Sequence, residues 1–120
     1  MSAEGSILVV DDDPDLRETV GELLEEEGWV PRLAENGRVA LELLRAGERP
    51  RLILLDLMMP EMNGWQFREE QLRDALLRRI PVVVMTASRG FEGQAITASE
   101  VLFKPIGLGE LIDAVARNAG

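Results

Sequence analysis

Residues 7–12 read Ile-Leu-Val-Val-Asp-Asp, an apolar run that ends in acids, and residues 52–56, Leu-Ile-Leu-Leu-Asp, repeat the pattern. Short runs of this kind are typical of strands that are buried on both faces of a parallel sheet. Two further apolar runs end in other polar groups, Thr86 and Lys104. Because isolated buried polar groups are unfavourable, four polar strand ends predict a shared pocket at one edge of a sheet.

The composition restricts the class of protein. The chain has 120 residues, of which 46% are hydrophobic, and a formal net charge of -9 at pH 7. Such a chain can form one domain with its own core. The excess of acids argues against direct binding to nucleic acid or to an anionic membrane surface, since both attract clustered Lys and Arg. Because Cys and His are absent, any chemistry depends on carboxylates, hydroxyls, Lys and backbone groups.

The sequence carries no signal for export or for a membrane span. Its start lacks a basic segment followed by a long apolar one. No apolar stretch approaches the roughly 18 residues that a membrane helix needs. We therefore expect a cytoplasmic protein, with residues 1–120 as a single domain whose core runs from about 6 to 118, and with no output domain in this chain.

Apolar runs alternate with longer segments of helical period, which is the pattern of repeated βα units. Strands are predicted at 6–10, 29–34, 51–56, 80–85 and 101–103, and helices at 14–28, 36–47, 65–77, 108–118 and, in shorter form, 91–98. Pro31 is tolerated only in an edge strand, and the wholly apolar fourth strand fits the sheet centre. Right-handed crossovers then favour a parallel sheet of order 2-1-3-4-5, with all carboxyl ends at one edge.

In this order the first and third strands are neighbours, so Asp11, Asp12 and Asp56 would converge. Two carboxylates about 4 Å apart repel by roughly 4 kcal/mol at an effective dielectric of 20. A divalent cation removes this conflict, and oxygen ligands favour Mg²⁺ or Mn²⁺. With Thr86 and Lys104 beside the cation to hold phosphate oxygens, one carboxylate can attack phosphorus, and the expected product is an aspartyl phosphate.

The strand-end motifs resemble those of the receiver domain of two-component response regulators, including the chemotaxis regulators. The matching motifs are Val9-Val10-Asp11-Asp12, Asp56-Leu57-Met58-Met59-Pro60 followed by Asn63-Gly64, Met85-Thr86-Ala87 and Phe103-Lys104-Pro105. Together they extend the resemblance over essentially the whole chain. It implies an α/β fold of the flavodoxin-like (βα)5 type, a three-layer sandwich around a five-stranded parallel sheet.

The resemblance also implies roles for individual residues. Asp56 would be the phosphoacceptor, with Thr86 hydrogen-bonding the phosphoryl group and Lys104 neutralising it. The implied Mg²⁺ ligands are the carboxylates of Asp11, Asp12 and Asp56 and the backbone carbonyl of Met58. The Lys104-Pro105 peptide bond is expected to be cis.

The implied partners are a histidine kinase or phosphotransfer protein as phosphodonor, and a downstream protein or an output domain outside this chain. Self-phosphorylation and autodephosphorylation are the most that is expected as catalysis, without turnover of an external substrate. The phosphoryl group would act through a conformational change.

Two departures from the family pattern keep alternatives open. Receivers commonly have Tyr or Phe as a switch residue three positions before the Lys, where this chain has Val101, and the segment 87–100 is short by about one helical turn. A pseudo-receiver that binds partners without a working switch is therefore one alternative. Another is a phosphohydrolase of the haloacid dehalogenase type that uses Asp11 and Asp13, although after the Lys only Glu110 and Asp113 could complete its metal site.

Asp13 has two further interpretations. An Asp before a helix that starts with Pro favours helix capping. Asp11, Asp13, Asp15 and Glu22 also have the spacing of a calcium-binding EF-hand loop, but Leu16 stands where that loop needs Gly, and the preceding segment is a predicted strand. We therefore expect Asp13 to be a cap.

Overall fold

The structure is a computed structural model that describes residues 5–87 and 96–120. The described strands are β1 (Ser6–Val10), β2 (Val30–Ala34), β3 (Leu52–Asp56), β4 (Val82–Thr86) and β5 (Glu100–Phe103). The described helices are α1 (Pro14–Glu26), α2 (Gly37–Arg45), α3 (Gly64–Leu72), a 3₁₀ turn (Leu77–Arg79) and α4 (Leu108–Ala119). Strands and helices therefore alternate as the sequence predicts from β1 to β4, and α4 follows β5.

The five strands form one parallel sheet in the order β2-β1-β3-β4-β5, which confirms the predicted order. Pro31 lies in the edge strand β2 opposite Ile7, where its missing N–H leaves no central ladder position unpaired. In the central strands β3 and β4 every residue is buried. The carboxyl ends of all five strands therefore meet at one edge of the sheet.

Helices cover both faces of the sheet. Successive strand residues point to opposite sides, and because the central strands are apolar on both sides, both faces need to be covered. On one face Leu8 and Ile53 belong to a buried cluster with residues of α2 and α3. On the other face Ile7 and Leu52 belong to a cluster with residues of α1 and α4. This arrangement confirms the predicted three-layer α/β sandwich.

The end of α3 differs from the sequence prediction. The helix was predicted to reach Leu77 but ends at Leu72. Asp74 then accepts backbone N–H bonds of 2.8 and 3.1 Å from the turn that follows, and such local bonds compete with helix. The buried side chain of Gln71 donates to the carbonyls of Leu77 and Ile80 at 2.9 and 3.0 Å. These side-chain bonds stabilise a turn where apolar spacing alone predicts helix.

The short helix predicted at 91–98 falls mostly outside the described residues, and its described part, 96–98, is not helical. Ser99 donates a backbone bond of 2.8 Å to Val82, so the chain has joined the sheet by that point. Within the two described ranges, no helix is long and apolar enough to span a bilayer.

Candidate functional site

The strand ends bring the predicted polar residues to one edge of the sheet. Asp11 directly follows β1, Asp56 and Thr86 are the last residues of β3 and β4, and Lys104 directly follows β5. The backbone ladder continues beyond β5, since Lys104 N–H donates to the Thr86 carbonyl at 2.8 Å. These side chains are therefore positioned by the backbone of the sheet itself.

Three carboxylates form a compact cluster at this edge. One oxygen each from Asp11, Asp12 and Asp56 lies within 4.8 Å of the others. Asp11 is fully buried, Asp56 is 4% exposed, and Asp12 faces solvent. The convergence predicted from the sequence is therefore present, and its exposed member leaves the cluster open on one side.

Lys104 provides the positive charge of the cluster. Its Nζ lies 2.8 Å from Asp11 Oδ2 and 3.5 Å from Asp56 Oδ2. Burial alone would lower the pKa of Lys104, but the hydrogen bond to Asp11 and the charge of Asp56 outweigh burial and raise its pKa. With all three acids ionised, one ammonium leaves two negative charges uncompensated among these four side chains. The charge and the oxygen ligands suit one divalent cation.

The acidity of Asp56 is strongly perturbed. Burial raises the pKa of Asp56 from 3.8 to about 6, and the neighbouring charge of Asp11 adds to the increase. Lys104 and the Met58 N–H, which lies 3.4 Å from Asp56 Oδ1, act in the opposite direction. Above pH 6 the side chain is mostly a carboxylate, held in a site that disfavours its charge.

The turn after β1 fixes Asp11 and excludes Asp13 from the cluster. Asp11 Oδ1 accepts the Asp13 N–H at 2.9 Å, and Arg17 donates to the Asp11 carbonyl at 2.7 Å. Asp13 caps α1 by accepting the N–H groups of Asp15 and Leu16, which confirms the capping prediction. This capping, and the strand before Asp11, remove the basis of the EF-hand alternative.

The structure also places the other residues that the sequence predicts for this site. Thr86 is fully buried, while the Met58 side chain is exposed and its N–H points to Asp56. Val101 is partly buried against the core and lies opposite Val84 in the sheet. The Lys104-Pro105 bond is cis, as expected.

Gly64 is a supporting residue to which the sequence prediction gave no role beyond its motif. A Cβ atom on Gly64 would lie 2.6 Å from the Asp56 carbonyl oxygen and 2.8 Å from Leu57 Cα. The Gly64 N–H also donates to the Leu57 carbonyl at 2.9 Å. The pair Asn63-Gly64 therefore combines the α3 N-cap with a residue that allows α3 to approach the strand end at Asp56.

Gly64→Ala is expected to destabilise the chain by about 1–3 kcal/mol, because the new methyl group meets backbone that has no room to move. Chemical denaturation measures this loss. Gly109→Ala in α4 is the matched control, since a Cβ there meets nothing within 4 Å, and it is expected to be neutral or to stabilise by about 0.5–1 kcal/mol. Equal stability of the two variants would contradict the close approach at Gly64.

A family model described as the response regulator receiver domain matches residues 7–116. The chain belongs to this family. Response regulator Rre1 of Synechocystis is 38% identical over 119 residues, a match that covers 94% of this chain and 50% of Rre1. This receiver domain spans about half the length of most of the curated relatives that it matches.

Solved structures support the same assignment. The signal receiver domain of a histidine kinase from Syntrophus aciditrophicus has a TM-score of 0.88 at 32% identity, with 97% of this chain and 90% of that chain covered. The response regulator TrrA of Thermotoga maritima, solved in complex with Mg²⁺-BeF, has a TM-score of 0.84 at 31% identity, with 95% and 98% covered. The receiver fold therefore extends over essentially the whole chain.

Proposed function

We propose that this receiver domain accepts a phosphoryl group on Asp56 in a Mg²⁺-dependent reaction and signals to a partner through a conformational change. The observation that supports this most directly is the position of the Lys104 ammonium, 2.8 Å from Asp11 and 3.5 Å from Asp56. A buried carboxylate that sits beside both a lysine and two further acids has the groups that phosphoryl transfer needs.

In the proposed reaction, a carboxylate oxygen of Asp56 attacks the phosphorus atom of the donor. The new O–P bond forms as the bond from phosphorus to the donor atom breaks, and the donor atom leaves with the electron pair. Lys104 and Thr86 hold phosphoryl oxygens, and Lys104 also balances their charge. The attack needs an ionised Asp56, and its pKa of about 6 satisfies this condition at neutral pH.

The metal part of the proposal rests on the ligand set. The carboxylates of Asp11, Asp12 and Asp56 offer oxygen atoms only, which suits Mg²⁺ or Mn²⁺; the Met58 carbonyl is the proposed fourth protein ligand. When bound, the cation would neutralise charge on the phosphoryl oxygens. The Thermotoga relative was solved with Mg²⁺-BeF, which supports the same ligand for this chain.

The proposed phosphodonor is a histidine kinase or a phosphotransfer protein, and the proposed recipient of the signal is a separate protein or an output domain. A cytoplasmic location and a single domain over residues 1–120 belong to the same proposal. A pseudo-receiver remains the second candidate because Val101 has no aromatic ring to move. The complete set of acids with Thr86 and Lys104 favours the phosphorylated receiver.

Mg²⁺ is expected to raise the melting temperature, because a cation that binds only the folded chain stabilises it by about 2.7 kcal/mol at 100 times its Kd. Beryllofluoride, a phosphoryl mimic, is expected to raise it further in the presence of Mg²⁺. Differential scanning fluorimetry measures both steps. Asp12→Asn should lose most of the Mg²⁺ step, while Asp113→Asn, an exposed acid on α4, should retain it. An unchanged melting curve of the wild type in Mg²⁺ and beryllofluoride would contradict the proposal.

A further inference from the structure

The loop between β3 and α3, residues 57–63, is fastened to the start of α2. The Gly37 N–H donates to the Met62 carbonyl at 3.1 Å. Next to this bond, Asn36 Nδ2 donates to Glu61 Oε2 at 2.9 Å. The loop that follows the proposed phosphoacceptor is therefore bound to another part of the fold by one backbone bond and one side-chain bond.

Asn36 is hydrogen-bonded at both ends of its side-chain amide. Its side chain is almost completely buried, with the residue 2% exposed. Its Oδ1 atom accepts the Val39 N–H at 2.9 Å as the N-cap of α2, while its Nδ2 atom donates to Glu61. Because the helix cap determines which end of the amide faces α2, the donor end is directed at the loop.

Glu61 has an unusual backbone conformation. Its φ is +65°. Among the non-glycine residues of the described ranges, Glu61 alone has a positive φ. Side chains rarely adopt this region, and such residues occur where the surroundings impose them, often at functional sites. The Glu61 side chain is 56% exposed, so burial does not explain the conformation. Its contacts are the bond to Asn36 and a 3.5 Å approach to Arg38.

The pair lies between the two segments that carry the proposed metal ligands. Two residues before Asn36, the Ala34 carbonyl accepts the Asp11 N–H at 3.1 Å. The turn from β2 to α2 is therefore bound to the acidic end of β1 on one side and to the loop containing Met58 on the other. This loop and the β2–α2 turn therefore link the segment of Asp11 to the segment of Met58.

We propose that Asn36 and Glu61 form a positioning pair that sets the Mg²⁺ affinity of the pocket by holding the β3–α3 loop against α2. This inference rests on the proposed function, since it concerns the same metal site. Neither residue belongs to the acid cluster. Both act through the loop that carries Met58, one step further from the cation than the residues that hydrogen-bond metal ligands directly.

Asn36→Asp tests the pair while keeping the helix cap. The new carboxylate retains an acceptor for the Val39 N–H, and Asp is as good an N-cap as Asn, but the donor is replaced by an oxygen that faces Glu61. We expect Mg²⁺ affinity to fall about tenfold or more. Adding Glu61→Gln supplies an amide that can donate to the new carboxylate, so N36D/E61Q should recover most of the lost affinity.

Two further variants complete the set. Glu61→Ala removes the acceptor without opening a core cavity, because the side chain is exposed, and should weaken Mg²⁺ binding as N36D does. Glu69→Gln makes a carboxylate-to-amide change on an exposed residue of α3 that pairs with Arg73, and should bind Mg²⁺ like the wild type.

Calorimetric titration with MgCl₂ gives the affinities, and hydrogen exchange of the Gly37 amide gives a metal-free measure of loop docking. We expect N36D to speed this exchange and N36D/E61Q to slow it again. Wild-type affinity in N36D and E61A, or no recovery in the double variant, would overturn the positioning pair alone. A wild-type chain that does not bind Mg²⁺ would overturn the proposed function as well.

Discussion

Lys104→Met is expected to destabilise the metal-free chain by about 3–5 kcal/mol, the usual loss when one partner of a buried ion pair is removed. Met keeps most of the apolar stem but no charge. The Asp11 side chain is fully buried and Lys104 Nζ is 2.8 Å from it, so the variant leaves Asp11 without this counter-charge and Asp56 with less compensation. Urea denaturation in EDTA at pH 8 measures the loss.

The pKa of Lys104 determines the pH range in which its charge stabilises the fold. Because the pKa is raised above 10.5, the stabilising contribution is fully present below pH 10.5 and is lost only as the pH rises through the raised value. Arg73→Met is the control, because the exposed Arg73 side chain pairs at the surface with Glu69 and with the partly exposed Glu70. This variant should lose no more than about 1 kcal/mol. Equal stability of K104M and R73M would contradict the role of Lys104 as a buried counter-ion.

Asp56→Asn is expected to stabilise the metal-free chain above pH 6, although it removes the proposed phosphoacceptor. The pKa of Asp56 is raised from 3.8 to about 6, and the difference corresponds to about 3 kcal/mol against the ionised form. Asn has nearly the same shape as the protonated side chain and carries no charge. Replacing this carboxylate therefore removes mainly the cost of burying a charge, and also its repulsion with Asp11.

The pH dependence of this gain has a definite sign. Between pH 3.8 and about 6, folded wild-type chain holds a proton on Asp56 that the unfolded chain has released, so wild type loses stability relative to D56N as the pH rises through this window. Paired denaturation curves in EDTA at pH 4 and pH 8 measure the difference. A stability difference that stays constant between these pH values would contradict the raised pKa of Asp56.

The sequence predicts most of the candidate site because its residues are tied to strand ends. Once Ile7 and Leu52 are placed in neighbouring parallel strands, Asp11 and Asp56 must converge at one edge. Lys104 follows a strand in the same way. Pro31 similarly predicts that β2 is an edge strand, because Pro has no N–H to donate to a neighbouring strand.

Long-range side-chain contacts account for what the sequence prediction missed. Gln71 bonds carbonyls up to nine residues away and helps to form the turn after α3, although apolar spacing favours a longer helix. The bond between Asn36 and Glu61 joins residues 25 positions apart, and the sequence at Asn36 indicates only a helix start. Such contacts depend on three-dimensional packing that periodicity does not contain.

Phosphorylation of Asp56 in this pocket can be measured by incubating the chain with acetyl phosphate and Mg²⁺ and determining its intact mass. Wild type is expected to gain the mass of one phosphoryl group, and to gain none in EDTA. D56N, which is expected to be at least as stable, should gain none under either condition. A wild-type chain without the adduct, or an adduct that persists in D56N, would contradict the role of Asp56 as phosphoacceptor.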